Sequence, residues 1–129
     1  MAHTIKWTSG IQVLGGGPQK AVARSVEVDS YGVIAVDVNP NDVDVEVDVK
    51  VGSTGEVKLL AIASDRYTDL TYKVNSDSAD PVTLDHPQVL FGNGAVRILD
   101  AAPDLLLFSN ASTTDKASVQ ILVGRDATP

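Results

Sequence analysis

A chain of 129 residues with 43% hydrophobic and 21% charged residues suits a single domain with a real core, and that balance excludes wholesale disorder. The absence of cysteine removes disulfides, thiolate metal sites and a cysteine nucleophile. The net charge of -7 is concentrated between Glu27 and Glu56, where eight acids face Lys50 alone, an acidic stripe where a nucleic-acid binder carries a basic one.

The first thirty residues lack a basic start followed by an apolar run, and no apolar stretch approaches membrane-spanning length, so neither a signal peptide nor a membrane span is expected. Residues 4–7 and 11–14 read as short strands, and residues 1–20 as a flexible lead-in to a single sandwich domain spanning 1–129. Gly15-Gly16-Gly17-Pro18-Gln19-Lys20 resembles a phosphate loop only superficially. It lacks the G-K-[ST] ending, no helix follows, and Pro18 removes an amide donor, so it reads as a linker. Trp7 and Tyr31 are core anchors or interface residues; both readings stand at this point.

Val26 and Val28 flank Glu27, and Val36 and Val38 flank Asp37, the period-2 pattern of a strand with one dry face. From 43 to 51 every odd position is Val, while Asp44, Glu46, Asp48 and Lys50 fill the even ones. Helical spacing would scatter these valines around a cylinder, so a strand is predicted. Asn39, Pro40, Asn41 and Asp42 form a turn, which predicts a hairpin over 32–51. Gly52-Ser53-Thr54-Gly55 is the next turn.

Residues 57–63 are apolar on both faces except at Lys58, as in a central strand. Residues 69–74 alternate, with Leu70, Tyr72 and Val74 inward and Thr71 and Lys73 outward. Short strands follow at 82–84, 89–91, 95–99, 105–108 and 117–123, separated by polar turns. No helix longer than about one turn is expected. The fold class is therefore all-β, an antiparallel β-sandwich of jelly-roll or immunoglobulin type.

Candidate sites are few. Asp37, Asn39, Asn41 and Asp48 match part of the oxygen-ligand spacing of a calcium loop, but Asp42 stands where a Gly is needed, Pro40 stiffens the loop, and strands flank it. An ordinary turn is the better reading. Asp44, Glu46 and Asp48 share one strand face, either as a solvated edge guarded by charge or as a docking face for a basic partner. His3 and His86 have no nucleophile elbow to serve, and Asn110-Ala111-Ser112 is a glycosylation sequon that reads as a turn. No catalytic residue, metal or cofactor is assigned.

Five segments carry a resemblance: Leu59-Leu60-Ala61-Ile62-Ala63-Ser64-Asp65, Asp69-Leu70-Thr71-Tyr72-Lys73-Val74-Asn75, Pro81-Val82-Thr83-Leu84, Asp104-Leu105-Leu106-Leu107-Phe108-Ser109-Asn110 and Ala117-Ser118-Val119-Gln120-Ile121-Leu122-Val123. Between Leu59 and Val123 the chain resembles small β-sandwich virion proteins of tailed bacteriophages. The resemblance implies a non-enzymatic decoration, head- or tail-associated component, homo-oligomeric and in contact with other virion proteins. Its location is then the virion, or host cytoplasm before assembly, and no catalytic residue carries over. A carbohydrate-binding or calcium-dependent adhesion module is the alternative, disfavoured by 5% aromatic content because sugar platforms use exposed aromatic faces. Neither nucleic acid nor membrane is an expected partner.

Overall fold

Valine, leucine and isoleucine at alternate positions build nearly every element, because branched side chains suit a pleated, half-buried surface. The computed structural model describes residues 3–12, 14–16, 19–28, 30–49, 57–99 and 103–125. Along the chain come β1 (His3–Gln12), β2 (Gln19–Val28), β3 (Ser30–Val38), β4 (Val45–Asp48), β5 (Val57–Ser64), β6 (Leu70–Val74), β7 (Val82–Thr83), β8 (Gln88–Phe91), α1 (Asn93–Val96), β9 (Leu105–Asn110) and β10 (Ala117–Arg125).

Among the described residues, eight strands form two four-stranded antiparallel sheets, β3-β10-β5-β8 and β4-β9-β6-β7. Reading across them, β3 pairs β10, β4 pairs β9, β5 pairs β8 and β6 pairs β7. Four nested pairs, alternating between two sheets, are a long hairpin rolled up on itself, which is the strand order of a jelly roll. The all-β sandwich expected from the sequence is the observed fold, and its order decides for the jelly roll over the immunoglobulin type.

Between the sheets lie the fully buried Val38, Leu60, Ile62, Tyr72, Phe108 and Ile121, among others. Each such side chain contributes about 1.5–3 kcal/mol by leaving water. The Tyr72 and Phe108 rings meet at 5.6 Å between centroids. Tyr72 spends its hydroxyl on Gln88 Oε1 at 2.6 Å, so the phenol is buried without an orphaned donor. Burial pushes its pKa from 10.0 up to about 12. The folded state thus holds a proton that the unfolded chain releases above pH 10.0, and stability falls as pH rises from there toward about 12. Chemical denaturation across that window should show a loss approaching about 1.4 kcal/mol per pH unit. Tyr72→Phe should flatten that slope; an unchanged slope would refute the assignment.

Two predicted elements fold differently. The hairpin over 32–51 does not form, because β3 and β4 lie in different sheets. The turn at 39–42 exists, with the Asp42 amide donating to the Asn39 carbonyl at 3.1 Å. However, Asn41 at φ 66° and Asp44 at φ 55° swing the chain across to the second layer. Val38, Val47 and Val49 then join one core from opposite sheets, while Val43, ahead of the inversion at Asp44, is left 71% exposed. The predicted strand at 95–99 is in part the single-turn helix α1. Gly92, at φ 99°, starts it, and Val96 and Leu99 pack on the core at helical spacing while Ile98 points out at 79% exposure. Lys50, Val51 and the predicted turn at 52–55 lie outside the described residues.

Strands β1 and β2 form a separate antiparallel hairpin in register from His3 opposite Val28 to Gln12 opposite Gln19. In place of the short strands expected at 4–7 and 11–14, one strand runs over His3–Gln12 and Leu14 belongs to the turn, with Val13 outside the described residues. Gly15 and Gly16 take φ 88° and 92° in the connecting turn, so the glycine run supplies positive φ rather than a phosphate cradle. Gly17 and Pro18 lie outside the described residues.

Candidate functional site

The two outer faces of the sandwich differ chemically, and of the residues singled out from sequence one face displays Glu46 and Asp48. On β4 the outward Glu46 and Asp48 are exposed. Glu46 lies opposite Leu107 on β9, which in turn lies opposite Lys73 on β6. Leu107 is only 5% exposed although it points away from the main core, in the register position flanked by these two long side chains. Asp44 precedes β4 and is half-buried at the border of that face. Its amide donates to Ser109 Oγ at 3.0 Å, and its Oδ1 meets Lys73 Nζ at 3.2 Å as an ion pair without an aligned hydrogen bond. Of the predicted three-acid docking face, two acids are therefore exposed, because Asp44, at positive φ ahead of the strand, is half-buried and paired with Lys73.

The calcium spacing is not realised. Asp37 sits at the far end of β3, where its Oδ1 accepts from Ser118 Oγ at 3.0 Å and its Oδ2 lies 3.7 Å from Lys116. Asp48 belongs to the opposite end: the adjacent Val49 carbonyl accepts from Arg125, which pairs with Ser30 at the start of β3. From Ser30 to Asp37 is about 23 Å of strand. The Asn39 amide donates to Asp42 Oδ2 at 2.9 Å, and the Asn41 amide to the Ser112 carbonyl at 3.0 Å, so these are turn residues. Among the described residues no group of three or more His, Asp or Glu is placed to hold a metal. Asp42 and Asp69 border a depression of about 480 Å3, but Asp42 caps the turn and Asp69 lies 3.7 Å from Arg66.

Asn110 of the sequon is 1% exposed. Its Nδ2 donates to the Val38 and Asp115 carbonyls at 3.1 and 2.8 Å, and its Oδ1 accepts the Ser112 amide at 3.1 Å. An amide so engaged ties β9 to the end of β3, across the two sheets, and has no nitrogen to offer a glycan. His86 is exposed between β7 and β8, and His3 sits in β1 with its ring edge-on to Tyr31 at 5.0 Å.

The other outer face belongs to the β3-β10-β5-β8 sheet. Register places Val33, Leu122, Ala61 and Val89 in one row across all four strands, with Ala35, Gln120 and Ala63 in the next. Val33 is 69% and Val89 47% exposed. Seven neighbours without a charge are notable on a chain of net charge -7.

The preceding row is Tyr31, Gly124, Leu59 and Phe91, and the hairpin lies against it, burying Leu59 while leaving Tyr31 54% exposed. His3 sits against Tyr31, and Trp7 stacks on Phe91 at 5.1 Å. Ile5 and Val28 crowd Gly124 so closely that a Cβ there would lie 3.2 and 3.0 Å from them. β1 therefore crosses the sheet strands at a steep angle, one inward residue after another passing from β3 to β8. Four residues of β1 span about 13 Å, and four strands at about 4.8 Å spacing span about 14 Å, so Trp7 stands at the sheet's edge. The hairpin beyond Thr8 passes that edge as an arm, with Leu14 in its turn 84% exposed. Sequence reading missed this arm; Ile5 and Trp7 alternating with Thr4, Lys6 and Thr8 were the signal.

What the fold and these surfaces define is an antiparallel β-sandwich of jelly-roll order bearing a hairpin arm. Comparison with protein-family models, with curated proteins and with solved structures finds no match for the chain.

Proposed function

We propose that the chain is a non-enzymatic structural protein of a phage or prophage virion, a sandwich that docks on a larger capsid or tail assembly by surface complementarity. The observation that carries this reading is the arm: a two-stranded hairpin, marginal on its own in water, that reaches past the sheet supporting it and lies beside an uncharged apolar row. Such surface has a purpose in an assembly and is a liability outside one. Jelly rolls serve in viral capsids and in lectins alike, so the fold is compatible with the reading without choosing it. Glu46 and Asp48 add an acidic patch whose potential steers encounter with a basic partner surface.

Mass spectrometry of purified particles from the phage or lysogen encoding the chain should find it at a copy number comparable to other head or tail components. Its absence from particles would overturn the reading. Charge reversal, Glu46→Lys with Asp48→Lys, should slow association with particles lacking the protein by about tenfold and weaken the dependence of that rate on salt, as expected for steering charges. Unchanged kinetics would remove the acidic patch from the docking surface.

A further inference from the structure

We propose that two copies of this chain associate by pairing the open edges of their β1 strands antiparallel, each laying its overhanging arm on the other's apolar row. The inference rests on the reading of this face as an assembly surface and names its occupant.

Among the described residues β2 is the one strand hydrogen-bonded to β1, so the second edge of β1 offers its backbone groups to a further strand. That edge faces the apolar row. β2 ends at Val28 and β3 begins with Ser30, paired to Arg125, which places β2 over the end of the sheet and leaves β1 bordering Val33, Leu122, Ala61 and Val89. The exposure of Val33 and Val89 agrees, since a strand already lying there would cover them. The site is thus a trough with an apolar floor and a hydrogen-bonding wall, the combination used when an extended segment adds to a sheet.

The dimensions select a second copy. β1 has ten residues. Its inward residues from His3 to Trp7 span the chain's own sheet, and Thr8 to Gln12 overhang it. An antiparallel partner about a two-fold axis near Thr8 sets residues 8–12 of one arm beside residues 4–8 of the other, over the trough. The overhang and the vacant edge match in length, and the same operation satisfies both copies. His3, Ile5 and Trp7 face the sheet in each copy, and pairing about Thr8 sets odd-numbered positions opposite odd-numbered ones, so the two copies keep that side in common. Lys6 then lies opposite Gly10, and no like charges oppose one another along the paired edges.

Charge agrees. A chain of net charge -7 repels its copies across most of its surface, and the uncharged row is where two can meet without that penalty.

Sedimentation equilibrium of the full chain should give twice the 13.5 kDa mass in the micromolar range. Because the chain has no cysteine, Thr8→Cys introduces a single thiol at the axis, and oxidation should link two chains, whereas Thr4→Cys, displaced from the axis, should link far less. Val33→Glu places a charge on the trough floor at a site exposed in the single chain, and should weaken the dimer about a hundredfold while melting as the parent chain does at low concentration. A monomer at millimolar concentration overturns the proposal, as does a dimer indifferent to Val33→Glu and unlinked by Thr8→Cys. A monomer that still enters particles overturns this pairing and leaves the virion reading standing; a linked dimer absent from particles does the reverse.

Discussion

Asn110→Ala is expected to lower the unfolding free energy by about 3 kcal/mol, since it removes three hydrogen bonds at once, two of them buried. The Val38 and Asp115 carbonyls lose their donor and the Ser112 amide its acceptor in one substitution. Ser112 is itself 6% exposed, and its Oγ accepts from the Thr114 and Asp115 amides, so the loop loses its internal order as well. For a domain of this size the melting temperature should drop by roughly 10 °C. Asn110→Asp should cost nearly as much, because a carboxylate retains the acceptor but cannot donate to either carbonyl. A melting temperature within two or three degrees of the parent's for the alanine variant would show that the corner is held by packing alone.

Gly124→Val should displace the arm while leaving the sandwich folded. The added Cβ meets Val28 and Ile5 at 3.0 and 3.2 Å and Leu59 at 3.4 Å, and the first two belong to the hairpin, the less anchored side of the contact. Overpacking of this kind costs about 1–3 kcal/mol, which a hairpin held by a few residues at one end relieves by lifting away. Trp7 is the sole tryptophan and stacks on Phe91, so its fluorescence reports arm docking directly. Emission should shift to the red and quenching by iodide should rise, with far-ultraviolet dichroism and the sandwich's own melting little altered. Retained blue emission would mean that the sheet, not the hairpin, gives way.

Much of the fold is legible in the residues because burial on one face imposes period 2. Leu70, Tyr72 and Val74 turn inward as their spacing demands, and β9 and β10 lie where Leu105 and Ala117 open apolar runs. The same pattern misleads in two places for a reason it cannot register: alternation reports that a segment has a dry side, not which neighbour shares it. Val36, Val38, Val45 and Val47 alternate as smoothly as two arms of a hairpin, yet a left-handed backbone at Asn41 and Asp44 sends the second segment into the other sheet. At 95–99 the residues satisfy both periods over so short a span, and contact with the core selects the helical one.

The outer surfaces were less legible than the core. Asp44, Glu46 and Asp48 read as equivalent letters, but the backbone inversion at Asp44 delivers its carboxylate to Lys73. The apolar row was invisible for another reason, since Val33, Ala61, Val89 and Leu122 come from four strands and become neighbours only through the rolled strand order. Each alone reads as an unremarkable small or branched residue. Ala61 and Ala63 suggest a strand buried on both sides, and only the assembled sheet reveals that one side is vacant.

The nested order of the eight sandwich strands also governs how the chain is made. β10, the last of them to be synthesised, does not dock at a margin; it is threaded between β3 and β5 in the middle of its sheet. During translation β3 waits for its partner until residue 125 has cleared the ribosome, long after β6 and β7 have been free to pair. Closure over so large a sequence separation makes folding slow and strictly late, and leaves the nascent chain with unsealed hydrophobic strands that a chaperone can hold.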